Sequence, residues 1–234
     1  MFQHIKKMNE HSASLFLLLL LSADIAFTIL HIIKHAYVPN SSEWNVRVNA
    51  YLDTYHFIKI FWIIVLLTYI LKSTRCYGYG SWLLVFTYFL FDDALLLHQN
   101  LGDHIASSFG VYLPHALRLQ PRFFELTVLA FAGMFLLTIA AWAYFRSSLT
   151  FRKVSKDLLL FIAALIFFGI IVDLANVINL RPSVLFVLDF VEDGGETVVY
   201  SLILWYVFLL AISNGEPKLY LHDLLSKSQT RSHI

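Results

Sequence analysis

Six long runs of apolar residues constrain this chain more than any other feature, because each run is about long enough to cross a lipid bilayer. A spanning helix needs about 20 mostly apolar residues, and helices satisfy their own backbone hydrogen bonds inside hydrocarbon. We therefore predict an all-α, polytopic integral membrane bundle with about six transmembrane helices. The predicted spans are Ser12–His35, Tyr55–Leu71, Ser81–His98, Phe123–Phe145, Leu158–Ile178 and Leu185–Ile212.

The composition excludes several other classes of protein. Hydrophobic residues make up 59% of the 234 residues and charged residues only 14%, which is too apolar for a soluble globular domain. The net charge of +1, with no basic face, argues against a nucleic-acid partner. The single cysteine, Cys76, excludes an internal disulfide and a cysteine-based metal cluster. The predicted partner is the lipid bilayer itself.

The distribution of Lys and Arg predicts that both termini lie in the cytoplasm. Cytoplasmic loops carry more basic residues than external loops do. The predicted inner segment Arg146–Lys156 has four basic residues in eleven positions, whereas Lys59 counts among the fewer outer ones. This predicts one transmembrane domain over residues 1–214, a polar cytoplasmic tail over 215–234, and residence in a plasma or inner membrane. The segment Gln99–Arg122 becomes an outer loop that partly covers the bundle.

Many acidic and histidine residues lie within or beside the predicted spans, although a charge at the bilayer centre costs about 2.5–3.5 kcal/mol. In an antiparallel series, the ends of odd helices and the starts of even helices lie on one membrane side. These residues therefore gather in the outer half of the bundle, with Asp24 nearer the middle. The predicted catalytic residues are Asp92, Asp93 and Glu192, and the predicted metal ligands are His31, His98, Glu125, Asp173 and Glu196.

Helical geometry refines this set. Asp92 and Asp93 point about 100° apart, so at most one of them is expected to face directly into a site. His98 aligns with Asp93 only if the helix loosens between them. Gly194-Gly195 is the candidate helix break and permits close approach of a ligand. The last span carries an acidic stripe at i, i+3, i+4 and i+7, namely Asp189, Glu192, Asp193 and Glu196.

Five residues at or outside the membrane interface are assigned no role: His35, Asp53, His56, His104 and His115.

Three functions remain open, and the leading one is a metal-dependent hydrolase acting on a lipid-like substrate. Carboxylates and imidazoles without thiols suit a divalent metal such as Zn, Mn or Fe, and a metal with an open coordination position activates water. The alternative is a cation- or proton-coupled transporter, which should show a broken helix and a polar route toward the inner side. The nearly charge-free inner halves of the spans argue against such a route.

The third function is a non-catalytic membrane protein with structural polar pairing, since acids at helix N-termini are stabilised by the helix dipole. The chain contains no Walker A, GxSxG, CxxC or Rossmann motif. Nucleotide-binding, serine-hydrolase, thiol-redox and dinucleotide functions therefore lack support.

Overall fold

The computed structural model describes residues 2–37, 42–109, 121–172 and 182–215, and within these ranges the chain forms helices and no strand. A six-residue π-helix, Phe167–Val172, directly continues the sixth α-helix. The α-helices are α1 (Phe2–Tyr37), α2 (Ser42–Thr74), α3 (Tyr79–Leu95), α4 (Leu97–Phe109), α5 (Pro121–Arg146), α6 (Leu149–Ile166) and α7 (Pro182–Ile212).

Four described helices are long and apolar enough to cross a membrane, and a fifth crossing results if α3 and α4 together form one broken span. The four segments are Ser12–Leu30, Tyr51–Thr74, Phe123–Arg146 and Phe190–Ile212. The all-helical fold with several membrane-spanning helices agrees with the prediction, whereas the count of six is not confirmed. Residues 173–178 of the predicted fifth span and residues 216–234 of the predicted tail lie outside the described residues.

The core of the bundle is an apolar seam in which α7 lies against α1, α2, α6 and the π-helix. Fully buried residues on α2 recur at spacings of three and four, at Ile63, Leu67 and Ile70. This periodicity keeps one helical face toward the partner helices. By contrast, α5 exposes large side chains such as Phe131 and Phe135, as helices in contact with lipid do.

A sharp bend separates α3 from α4. The two helices meet at 64°, and Leu96 between them adopts the left-handed conformation with φ 51° and ψ 45°. A non-glycine residue rarely adopts this conformation, which costs about 1–2 kcal/mol. The first part of the predicted outer connection Gln99–Arg122 is helical, since α4 continues to Phe109. The candidate break at Gly194-Gly195 is absent, since α7 runs through both glycines without interruption.

Candidate functional site

Carboxylates from three helices interact at the end of the bundle that the sequence predicts to face outward. Glu196 on α7 interacts electrostatically with Asp93 on α3 and with Asp53 on α2, as well as with its neighbours on α7. Asp93 interacts in turn with Asp53. We name this group the acidic cluster, and its members are Asp53, Asp93, Glu192, Asp193 and Glu196.

Asp92 holds the bend between α3 and α4 together. Its carboxylate accepts a hydrogen bond from the backbone N–H of His98 at 3.0 Å and lies 2.9 Å from Nδ1 of the same histidine. The N–H of Leu96 donates to the backbone carbonyl of Asp92. The carboxylate thus satisfies a backbone donor at the start of α4, as an N-cap residue does. The same bend brings His98 within electrostatic range of Asp93 and of Glu125 on α5.

A second polar group lies deeper in the bundle and is built around an ion pair. Nζ of Lys59 on α2 lies 2.7 Å from Oδ1 of Asp24 on α1, and the two side chains are 1% and 3% exposed. Lys59 also donates to the backbone carbonyl of Thr197 on α7 at 2.8 Å. Tyr55 and Ser201 both donate to the same Oδ1, at 2.9 and 3.0 Å. We name these five residues the ion-pair layer.

The two oxygens of Asp24 differ in their contacts. Oδ1 accepts hydrogen bonds from Lys59, Tyr55 and Ser201. Oδ2 is buried and has no hydrogen-bond partner among the residues that the structure describes. A buried acceptor without a partner is costly, so the second oxygen is where a further ligand of Asp24 would be expected.

His56, Thr197 and Tyr200 connect the two groups. Nε2 of His56 lies 2.6 Å from Oγ1 of Thr197, and the hydroxyl of Thr197 donates to the backbone carbonyl of Asp193 in the acidic cluster. The rings of His56 and Tyr200 are 5.4 Å apart between centroids, and Tyr200 interacts electrostatically with Asp93. Thr197 thus lies between the two groups, which it contacts through the backbone carbonyl of Asp193 and through its own backbone carbonyl, the acceptor for Lys59.

Two glycines allow the π-helix to lie close to α7 at the level of the acidic cluster. A Cβ added at Gly169 would meet the carboxylate of Glu196, and one added at Gly195 would meet the ring of Phe168. π-helical segments often occur at functional sites. Here the segment closes one side of the cluster.

Lys59 and His56 are buried, contrary to what the sequence predicts. Lys59 is not an outer basic residue, because it is buried within a span and paired with Asp24. His56 is 7% exposed rather than solvated at the interface. The sequence did carry a signal for Lys59, since a lysine inside a predicted span needs an acidic partner and Asp24 was the deepest acid in the chain. Asp53 was also assigned no role, yet it interacts with the acidic cluster.

A further buried acid lies near the opposite end of the bundle. Asp157 on α6 is fully buried and accepts a hydrogen bond of 2.7 Å from the hydroxyl of Tyr206 on α7. Trp82 on α3 donates to Ser155, two residues before Asp157, at 3.0 Å. The sequence does not single out Asp157, since it precedes the apolar run of its helix. The half of the bundle that is predicted to face inward is thus less uniformly apolar than expected.

The structure brings some of the predicted site residues together and leaves others undescribed. Asp93, Glu192 and Glu196 interact within the acidic cluster, and His98 interacts with Asp92, Asp93 and Glu125. The side chain of His31, the side chain of Asp189, and Asp173 lie outside what the structure describes. Among the described side chains, no three His, Cys, Asp or Glu residues are arranged to hold a metal ion. The metal site therefore stays a prediction.

The chain belongs to the family described as Domain of unknown function (DUF8692), whose pattern matches residues 54–212. The matched range includes Lys59, Asp92, Asp93 and the acidic part of α7, whereas Asp24 on α1 precedes it. No curated protein and no solved structure matches the chain.

Proposed function

We propose that this protein is a cation- or proton-coupled membrane transporter in which the acidic cluster receives cations at the outer side of the bundle. The single observation that carries the proposal is the position of Thr197 between the acidic cluster and the buried pair Asp24–Lys59. Its hydroxyl lies 2.6 Å from His56 and donates to the backbone carbonyl of Asp193, and its own backbone carbonyl accepts from Lys59. Chains of acidic and histidine residues inside membranes are the groups that carry protons or bind cations.

The charge of the acidic cluster supports cation binding. Glu196 interacts with four other carboxylates, and like charges this close repel one another unless protons or cations bind between them. Lys59, which lies six residues after Asp53 on α2, pairs with Asp24.

The broken span supports transport in a second way. Transporters commonly bind substrates and ions where a membrane helix is interrupted, because the ends of the half-helices point toward the bound ion. The bend at Leu96 lies four residues after Asp92 and three after Asp93. The bend between α3 and α4, together with the buried polar groups around Asp24, favours a transporter over an enzyme.

Flux measurements in liposomes test the proposal. The purified protein is reconstituted in vesicles that contain a pH-sensitive or cation-sensitive dye, and uptake is followed after a cation gradient is applied. Parent protein should give flux above that of empty vesicles, and Asp93→Asn should lower it strongly. Asp103→Asn, at an exposed acid on α4, is the matched control and should keep the flux of the parent. Equal flux in protein-containing and empty vesicles for protons, Na⁺, K⁺ and Mg²⁺ would reject the transporter.

A metal-dependent membrane hydrolase is the second candidate, and the pairing of Asp92 with His98 favours it. A carboxylate that binds one ring nitrogen of a histidine fixes the ring so that the other nitrogen can ligate a metal. Elemental analysis of the purified protein, repeated with Asp92→Ala and Glu196→Ala, tests this function. Bound Zn, Mn or Fe that is lost in both variants would favour the hydrolase, and metal content that neither substitution changes would remove it.

A further inference from the structure

We propose that Asp24 forms a binding site for a monovalent alkali-metal cation and that the ammonium group of Lys59 is a tethered occupant of that site. The inference rests on the proposed function and specifies its deepest ion-binding position. In this scheme, a cation that arrives from the acidic cluster competes with Lys59 for Asp24.

The surroundings of the Lys59 ammonium are those of a bound cation. Nζ lies 2.7 Å from a carboxylate oxygen of Asp24 and 2.8 Å from the backbone carbonyl oxygen of Thr197. It also lies 4.0 Å from the centroid of the Tyr55 ring, within the range of a cation–π interaction. The side chain itself is 1% exposed, so the charge is held by these groups rather than by bulk solvent.

Asp24 offers more coordination than Lys59 uses. Lys59, Tyr55 and Ser201 all donate to Oδ1, while Oδ2 is buried with no hydrogen-bond partner among the described residues. The hydroxyls of Tyr55 and Ser201 can accept from a donor or ligate a cation as well as donate. Oxygens of carboxylate, carbonyl and hydroxyl groups are the ligands that hard cations prefer.

The charge of the layer specifies a monovalent ion. Asp24 and Lys59 form a neutral pair, and the other members of the ion-pair layer, Tyr55, Thr197 and Ser201, carry no charge at neutral pH. The layer stays neutral when one Na⁺ or K⁺ binds Asp24 and the displaced Lys59 ammonium releases one proton, whereas a divalent ion would leave a buried excess charge. The acidic cluster, by contrast, has the excess of carboxylates that attracts ions of higher charge.

Removing the charge of Lys59 should create a cation requirement that the parent protein does not have. Lys59→Met has a side chain of similar length without the ammonium, and Asp24 is then left without its cation. The thermal midpoint is measured in detergent by tryptophan fluorescence, with NaCl or KCl replaced by choline chloride at constant ionic strength. We expect Na⁺ or K⁺ to raise the midpoint of Lys59→Met by about 5–10 °C at roughly a hundred times its dissociation constant.

Three controls make the result specific to this site. Lys59→Arg keeps a tethered positive charge and should show no alkali-cation effect. The double variant Lys59→Met with Asp24→Asn removes the carboxylate and should lose the effect. The parent protein should show a much smaller difference between NaCl and choline chloride than Lys59→Met does, because Lys59 competes with the added cation for Asp24. A cation effect that survives in the double variant, or that equals the effect in the parent, overturns the inference.

A variant that does not fold is also informative. If Lys59→Met is recovered only in the presence of Na⁺ or K⁺, the inference is supported, because the bound ion replaces the missing ammonium. If it is recovered under no condition, Lys59→Gln is tested by the same criterion, and failure of both variants in every alkali cation overturns the inference. The flux assay of the parent protein tests transport separately, so a transporter without a cation site at Asp24 would be recognised.

Discussion

The acidic cluster and the ion-pair layer are built largely on the same two helices, yet they balance charge in opposite ways. On α2, Asp53 in the cluster and Lys59 in the layer are six residues apart, which is about 9 Å along the helix axis. In the cluster, Glu196 has carboxylates as electrostatic neighbours. In the layer, the carboxylate of Asp24 holds a lysine at 2.7 Å and accepts from two hydroxyls.

This difference follows the depth of each group in the bundle. Asp53 is exposed and Glu196 is partly buried, so solvent or a bound ion can balance their charge. Asp24 and Lys59 are buried, and a buried charge must be neutralised by the protein itself. The chain therefore supplies its own cation, Lys59, to the buried carboxylate of Asp24.

The largest expected effect comes from breaking the ion pair on one side only. Asp24→Asn keeps the size of the side chain but leaves Lys59 buried without a counter-charge. We expect the free energy of unfolding to fall by about 3–5 kcal/mol, measured by denaturation in detergent micelles. Asp103→Asn, at an exposed acid, should change stability by no more than about 0.5 kcal/mol.

Removing both charges sharpens the same test. Asp24→Asn combined with Lys59→Met leaves no unpaired charge, so the double variant should be more stable than Asp24→Asn alone. If the losses of the two single variants simply add in the double variant, the pair is not energetically coupled and the contrast between layer and cluster fails.

Close packing beside the cluster should give the next largest effect. Gly195→Ala places a methyl group against the ring of Phe168, and such overpacking costs about 1–3 kcal/mol. Gly194→Ala is a matched control on the same helix, because an added Cβ there meets nothing within 4 Å. We expect Gly194→Ala to be neutral or to stabilise the helix by up to about 1 kcal/mol. Equal melting midpoints for the two variants would contradict the close approach of the π-helix to α7.

The bend at Leu96 should depend on Asp92 to a smaller extent. Asp92→Ala removes the acceptor for the backbone N–H of His98, and loss of such a cap costs about 0.5–2 kcal/mol. Amide hydrogen exchange is the specific readout, and the His98 amide should exchange faster in this variant. Asp103→Ala, farther along α4, should leave that amide unchanged; the same exchange rate in both variants would show that Asp92 does not hold the bend.

The smallest effect on stability, but a clear one on function, is expected at Gly169. Gly169→Ala displaces the carboxylate of Glu196, which ends a flexible side chain, so stability should change by no more than about 1 kcal/mol. Cation flux in liposomes should nevertheless fall, because Glu196 is moved within the cluster. Gly133→Ala, where an added Cβ meets nothing, is the control and should keep the flux of the parent. Unchanged flux in Gly169→Ala would show that the position of Glu196 does not affect transport.

The sequence predicted the helical membrane fold and the end of the bundle at which acids accumulate. Hydropathy is a local property, and antiparallel alternation carries Asp93 and Glu196 to one side without any knowledge of packing. The bend at Leu96 could not be predicted from the sequence, since no glycine or proline lies at that position. Asp92 stabilises the bend through a contact that only the folded chain reveals.

The sequence by itself therefore determined the class of the protein and the acidic character of one end of the bundle. The tertiary structure decided which charges meet. Lys59 binds the carboxylate of Asp24, 35 residues before it, and the carbonyl of Thr197, 138 residues after it. Contacts at such separations produce no periodic pattern from which the sequence could predict them. The physical reason is that burial depends on residue type and spacing, whereas an ion pair depends on the distance and rotation between whole helices.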